Sequence, residues 1–187
     1  WKISLVERGA ASVDLLQTYQ DERHPIGAMV LKFTAQMLKA SMIKNPALRT
    51  VQAIGMHLAL SVPSIQRHMA SFLSEDNITY RGGPLAPKTN GSFRPGDAFP
   101  DLDIEGESAT NLLRENEATL VTSKSGFPME FGKKGFPITE VISKKLTGQL
   151  GGDVLVRPDG VIAAIGSDNI QEWLSNILLA SNTTSLN

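Results

Sequence analysis

Three histidines, a run of alternating carboxylates and two lysine pairs are the side chains of this chain whose types could do chemistry. His24, His57 and His68 could bind a metal only if they converged. Their spacing is not that of a ligand cluster, and no carboxylate pattern completes one, so they read as surface or interhelix histidines. Asp101, Asp103, Glu105 and Glu107 alternate after Pro100, as a cation site could, but also as a solvated strand or loop edge does. Lys133-Lys134 and Lys144-Lys145 could meet phosphate, and a solvated surface is the simpler reading. Ser123-Lys124-Ser125-Gly126 lacks the glycine spacing of a phosphate loop, and no Gly-x-Gly-x-x-Gly occurs anywhere. No catalytic, cofactor-binding or metal-binding residue is therefore assigned. Five residues are assigned structural roles. Glu22 and Arg23 precede Pro25 in an apolar setting, where the five donors of Arg23 suit a helix-end anchor. Arg157, Asp159 and Gly160 belong to a turn.

Composition bounds the rest. The chain has 187 residues, 41% hydrophobic and 20% charged, room for one domain or two small ones. Its net charge of −1 gives no electrostatic case for nucleic acid or an anionic membrane. It has no cysteine, which excludes disulfides, thiolate nucleophiles, zinc–thiolate sites and Cys-x-x-Cys redox chemistry. No apolar run reaches membrane-spanning length and no signal peptide opens the chain, so a cytoplasmic location is expected. The sequons at Asn77, Asn90 and Asn182 then read as chance.

The elements that would position these groups follow from periodicity. Trp1-Lys2-Ile3-Ser4-Leu5-Val6 reads as the interior of a helix without a preceding cap, as in a fragment or processed product. Gly9 suits its end, and Ser12 can cap the next helix. Leu15, Leu16 and Tyr19 start an apolar stripe, Pro25 predicts a kink or restart, and Ile26, Val30, Phe33, Met37 and Leu38 continue it to about Met42. Asn45-Pro46 predicts a capped helix with Leu48, Val51, Ile54 and Leu58 on its buried face. Pro63 breaks it, and Ile65, Met69, Phe72 and Leu73 predict a short last helix. The glycines and prolines of 82–95 predict a linker between a helical segment, 1–81, and a second domain, 96–187. There, Leu112 and Leu113 suit a short helix, 119–122 a strand, and 138–146 favours a helix over a strand. Asp153 to Ala164 predicts a buried β-hairpin turning at Pro158-Asp159-Gly160. Ser167-Asp168 then caps a helix bearing Ile170, Trp173, Leu174, Ile177 and Leu178. A strand, a helix, a hairpin and a final helix suit a thioredoxin-like half-sandwich.

These residues also carry a family resemblance. Trp1-Lys2 with Leu5, Arg8-Gly9-Ala10, and Leu15-Leu16-x-x-Tyr19-x-x-Glu22-Arg23-x-Pro25 resemble the tail of the FAD domain in single-component flavin-dependent aromatic hydroxylases of the phenol and polyketide hydroxylase type. Gly96-Asp97-Ala98-Phe99-Pro100-Asp101-Leu102 resembles the start of their thioredoxin-like C-terminal domain, and Val154 to Ala163 its hairpin. The resemblance implies an α+β chain, with a helical segment completing an FAD and substrate domain, followed by a thioredoxin-like domain without redox cysteines. It implies FAD and NAD(P)H in the intact enzyme and hydroxylation of an aromatic, phenolic substrate with O₂. It implies an upstream FAD-binding domain as partner, in cis or as a separate chain, and a homo-oligomer. The family's nucleotide-binding motifs are not among these residues. The chain alone is thus expected to bind no cofactor, to be inactive, and to serve a structural or dimerising role. The alternative is a stand-alone, cysteine-free thioredoxin-like binding or assembly module.

Overall fold

The structure is a computed structural model, which describes residues 1–67, 79–104, 106–126 and 135–179. His68, Glu105, Lys133-Lys134, the apolar residues Met69, Phe72 and Leu73, and the sequons at Asn77 and Asn182 lie outside the described residues. Two compact units emerge. One groups Trp1–Glu22 with Thr79–Asn187, and the other is Arg23–Ile78. The sequence reading instead groups residues 1–81 together and sets 82–95 apart as a linker.

The larger unit opens with helix α1, Lys2–Glu7, which buries Lys2 and Leu5. Gly9, at φ +66°, lets the chain leave that helix in the left-handed region. Helix α2 is Asp14–Ser41, and its first residue's backbone N–H donates to the Ser12 hydroxyl at 3.2 Å. A restart at Pro25 does not occur: α2 runs through it. Proline there removes one hydrogen bond, to the Asp21 carbonyl, and both residues are exposed, so water can take that acceptor.

A small antiparallel pair follows, β1 Asp103–Ile104 with β2 Glu107–Ser108, and a 3₁₀ turn at Ala109–Leu112. The main sheet has four strands, β3 Ala118–Thr122, β4 Ile138–Ile142, β5 Val154–Val156 and β6 Ile162–Ile165, in the order β4-β3-β5-β6. β3 and β4 are parallel, while β5 is antiparallel to both β3 and β6. Residues 138–142 are thus strand, not the helix favoured by the sequence; the helix there, α4 Lys144–Leu150, starts only after the Ser143 side chain caps it. Four β-branched residues in five, Thr139 among them, fit the pleat better than a helix. Helix α5, Ser167–Leu179, closes the unit. Ser167 is its first residue rather than its cap, and its hydroxyl donates to Asp153 Oδ2 at 3.2 Å.

The strands read as unbroken apolar runs because both faces of the sheet are covered. Leu120 and Leu155 pack on one face with Leu5, Leu15, Phe136, Ile170, Trp173 and Leu174. Their neighbours Val121, Val154 and Val156 pack on the other with Phe99, Ala109, Leu146 and Leu150. The two-residue period of the strands sorts alternate side chains into these two layers.

The β5–β6 hairpin turns where the sequence places it. Gly160 N–H donates to Arg157 O at 2.9 Å and Arg157 N–H to Val161 O at 2.8 Å, around a three-residue loop ending on Gly160 at φ +77°. Nothing crowds a side chain there except Leu113 at 3.8 Å, so a substitution acts through backbone strain. Gly160→Val is expected to lower unfolding free energy by about 1–2 kcal/mol, as a β-branched residue forced into the left-handed region. Denaturant unfolding checks it; a variant as stable as the parent would mean the turn had re-formed elsewhere.

In the smaller unit, α3 Pro46–Leu60 begins as expected: the Asn45 side chain accepts from Ala47 and Leu48 N–H, with Pro46 at the first helical position. The face expected to be buried is not. No residue of α3 is buried, and Leu48, Val51, Ile54 and Leu58 are all more than half exposed. On α2, Val30, Leu31, Met37 and Leu38 are also exposed. Apolar periodicity identified these faces correctly as apolar, but the described elements of this unit are too few to cover them.

Candidate functional site

The sequence-assigned residues Glu22, Arg157 and Asp159 meet in one charge cluster within the larger unit, buried at Glu22 and Arg157 and open to solvent at Asp159. α1 brings Lys2, α2 brings Glu22, and the β5–β6 turn brings Arg157 and Asp159. The Arg157 guanidinium donates to both Glu22 oxygens, at 2.7 and 3.1 Å, and to both Asp159 oxygens, at 3.0 and 2.6 Å. Lys2 Nζ donates to Glu22 Oε2 at 2.7 Å and to Thr18 Oγ1 at 2.7 Å. Glu22, Lys2 and Arg157 are each no more than 5% exposed. Trp1 covers the cluster: its indole N–H donates to Asp159 Oδ2 at 3.1 Å, and the Arg157 guanidinium lies 5.2 Å from its ring and 5.5 Å from that of Tyr80.

Two cations face two carboxylates, so the charges balance. Burial opposes ionisation of Asp159, but the hydrogen bonds and charge of Arg157, with help from Trp1 and the Val161 N–H, hold its carboxyl below the usual range. Burial pushes the Lys2 ammonium below its ordinary value, against the pull of Glu22. Arg157 is held above its ordinary value by Asp159 and Glu22, against its burial. Every carboxylate oxygen here is already met by a donor. The arrangement can therefore hold α1, the start of α2 and the hairpin in register, and offers no free base or nucleophile.

Gly160 terminates the turn that carries Arg157 and Asp159. Arg23 is exposed on α2, and the partners of the Glu22 carboxylate are Lys2 and Arg157 instead. Sequence reasoning missed Lys2 as a member. Its signal was present: Lys2 stands three residues before Leu5 on the buried face of α1, where a lysine implies a buried anion.

The other candidates scatter. His24 and His57 are exposed, and among the described residues no group of three or more His, Asp or Glu side chains could hold a metal. Asp101 accepts from Ser108, and Asp103 Oδ1 from Gly106 N–H at 3.1 Å, which makes that acidic run a local turn. Among the described residues no helix is long and apolar enough to cross a membrane.

A second polar centre, also missed, is Asp97. It accepts from Arg81 Nε and Nη2 at 2.5 and 2.8 Å, from Arg94 N–H at 3.0 Å and from Thr79 Oγ1 at 3.2 Å. Tyr80 N–H donates to Gly96 O at 2.7 Å, so residues 80–96 form a loop closed at its base. The loop docks on α5, where the Trp173 indole donates to Leu85 O at 2.9 Å.

No family model matches the chain. Among curated proteins it is 29% identical over 95% of its length to a flavin-dependent monooxygenase of Mycobacteroides abscessus. It is 26% identical over 87% of its length to aklavinone 12-hydroxylase RdmE of Streptomyces purpurascens, and 26% over 92% to pentachlorophenol 4-monooxygenase of Sphingobium chlorophenolicum. The chain spans about a third of the length of each of these relatives, 34% in all three cases. Among solved structures, it superposes on the anhydrotetracycline hydroxylase OxyS of Streptomyces rimosus with a TM-score of 0.69, 24% identity, and coverage of 95% of this chain and 38% of that one. It superposes on the rebeccamycin biosynthetic enzyme RebC with a TM-score of 0.68, 23% identity and coverage of 96% and 39%. The resemblance read from the sequence, to flavin-dependent aromatic hydroxylases, is borne out by these relatives, as is the α+β class.

Proposed function

We propose that this chain is the C-terminal part of an FAD-dependent monooxygenase that hydroxylates an aromatic, phenolic substrate with NAD(P)H and O₂, and that its own role in that enzyme is structural. The observation that carries this reading is the match itself: nearly all of this chain aligns with about a third of several flavin-dependent monooxygenases. The larger unit then corresponds to a thioredoxin-like domain without redox cysteines. The strand order β4-β3-β5-β6, two parallel strands followed by an antiparallel hairpin and a helix, supports that assignment. The smaller unit, with its exposed apolar helices, is an arm that buries those faces against the FAD-binding domain. Location in the cytoplasm and a homo-oligomeric parent belong to the same reading.

The described residues of this chain offer no cradle suited to FAD. Its two helices that follow strands start after Ile142-Ser143 and Ile165-Gly166, and neither junction has the glycine-rich turn that lets a pyrophosphate approach a helix N-terminus. Three cavities lined by described residues of the larger unit hold about 140, 310 and 260 Å³. No flavin step is therefore routed through these residues; the isoalloxazine chemistry belongs to the upstream domain.

The test is a flavin titration. The purified chain should be colourless and should not quench FAD fluorescence. Adding the FAD-binding domain, in cis or in trans, should give a yellow complex and remove the apolar-dye binding that the exposed helices cause. Stoichiometric FAD binding by the chain alone would refute the assignment. A stable complex-free monomer that binds no dye would favour the stand-alone assembly module.

A further inference from the structure

We infer that the closed loop over residues 80–96 is an anion-binding site for a phosphate-like dianion. It is independent of any flavin chemistry. The loop borders an open groove of about 260 Å³ whose walls include Arg81, Lys88, Thr89, Asn90 and Arg94. Three cations surround this space against one carboxylate, Asp97, an excess of two positive charges in a chain whose net charge is −1. Asp97 offsets Arg81, to which it is bound through both oxygens, and leaves the charges of Lys88 and Arg94 uncompensated. Lys88 makes no hydrogen bond or ion pair among the described residues, and Arg94 uses only Nε, which donates to Gly91 O at 3.1 Å.

A dianion in this space would accept charge-assisted hydrogen bonds from Lys88 and from the free guanidinium nitrogens of Arg94. The loop is also pre-organised: its ends are pinned by Asp97 and its middle by Trp173, so binding orders little additional chain.

The test is an NMR titration of the full chain with inorganic phosphate at constant ionic strength, chloride being the balancing ion. Saturable amide shifts confined to residues 80–97 are expected with phosphate and not with chloride. Lys88→Glu should weaken the phosphate affinity about tenfold or more, the scale of one lost charge-assisted hydrogen bond. Tighter binding of glycerol phosphate than of inorganic phosphate would identify a phosphoryl group carried by a larger molecule; the reverse would identify the free anion. Equal shifts with chloride, or a Lys88→Glu variant that titrates like the parent, would overturn the site.

Discussion

Replacing Glu22 by Ala is expected to lower the unfolding free energy by about 3–5 kcal/mol, because it strands two buried cations. Lys2 and Arg157 both direct donors at this carboxylate, and neither reaches water. Asp159 alone would then face both charges. The effect should be strongly asymmetric around the cluster. Lys2→Met removes a cation that burial already disfavours, and leaves Glu22 paired with Arg157, so it should change stability by less than about 1 kcal/mol or raise it. Denaturant unfolding of the two variants provides the comparison. Equal, small losses would show that the cluster is solvated in solution and contributes as a surface pair does.

The second large effect is expected at Gly96. It adopts φ +91°, and a Cβ there would stand 2.5 Å from Arg81 N and 2.6 Å from Tyr80 C. Both are backbone atoms held by the loop-base hydrogen bonds, so neither can swing aside as a side-chain tip would. Gly96→Ala should therefore cost more than about 3 kcal/mol, combining left-handed strain with a backbone clash. It should also expose the amide of Tyr80 to hydrogen exchange, since that N–H donates to Gly96 O. An alanine variant that keeps both stability and Tyr80 protection would show that segments 80–81 and 96 are not held so close.

What the sequence made legible was local. Pro158-Asp159-Gly160 carries its own turn chemistry, and Asn45-Pro46 its own cap, so both could be placed without knowledge of the rest of the fold. The apolar run of β5 and the face of α5 were equally plain. Residues 138–142 were not, because a short stretch of mixed apolar and polar residues fits either period, and its pairing with β3 is a tertiary fact. Within the site, Arg157 and Asp159 are two residues apart and visible together, whereas Glu22 lies 135 residues from Arg157 along the chain. Only the fold joins them. Arg23 drew attention because it adjoins Glu22, but residues adjacent on a helix point to different faces, and the buried face went to Glu22. Asp97 was noticed as part of a motif and not as a hub, since its partner Arg81 lies across the loop.

The placement of the aromatic residues has a spectroscopic consequence. The chain has two tryptophans: Trp1, stacked near Arg157, and Trp173, packed near Phe136 and bonded to Leu85 O. Both belong to the larger unit, and Arg23–Ile78 contains no tryptophan or tyrosine. Intrinsic emission therefore reports on the sheet and its charge cluster and is blind to the helical arm, whose α2 and α3 dominate the ellipticity at 222 nm. Following both signals through one denaturant series separates the melting of the arm from that of the sheet without labels or truncation.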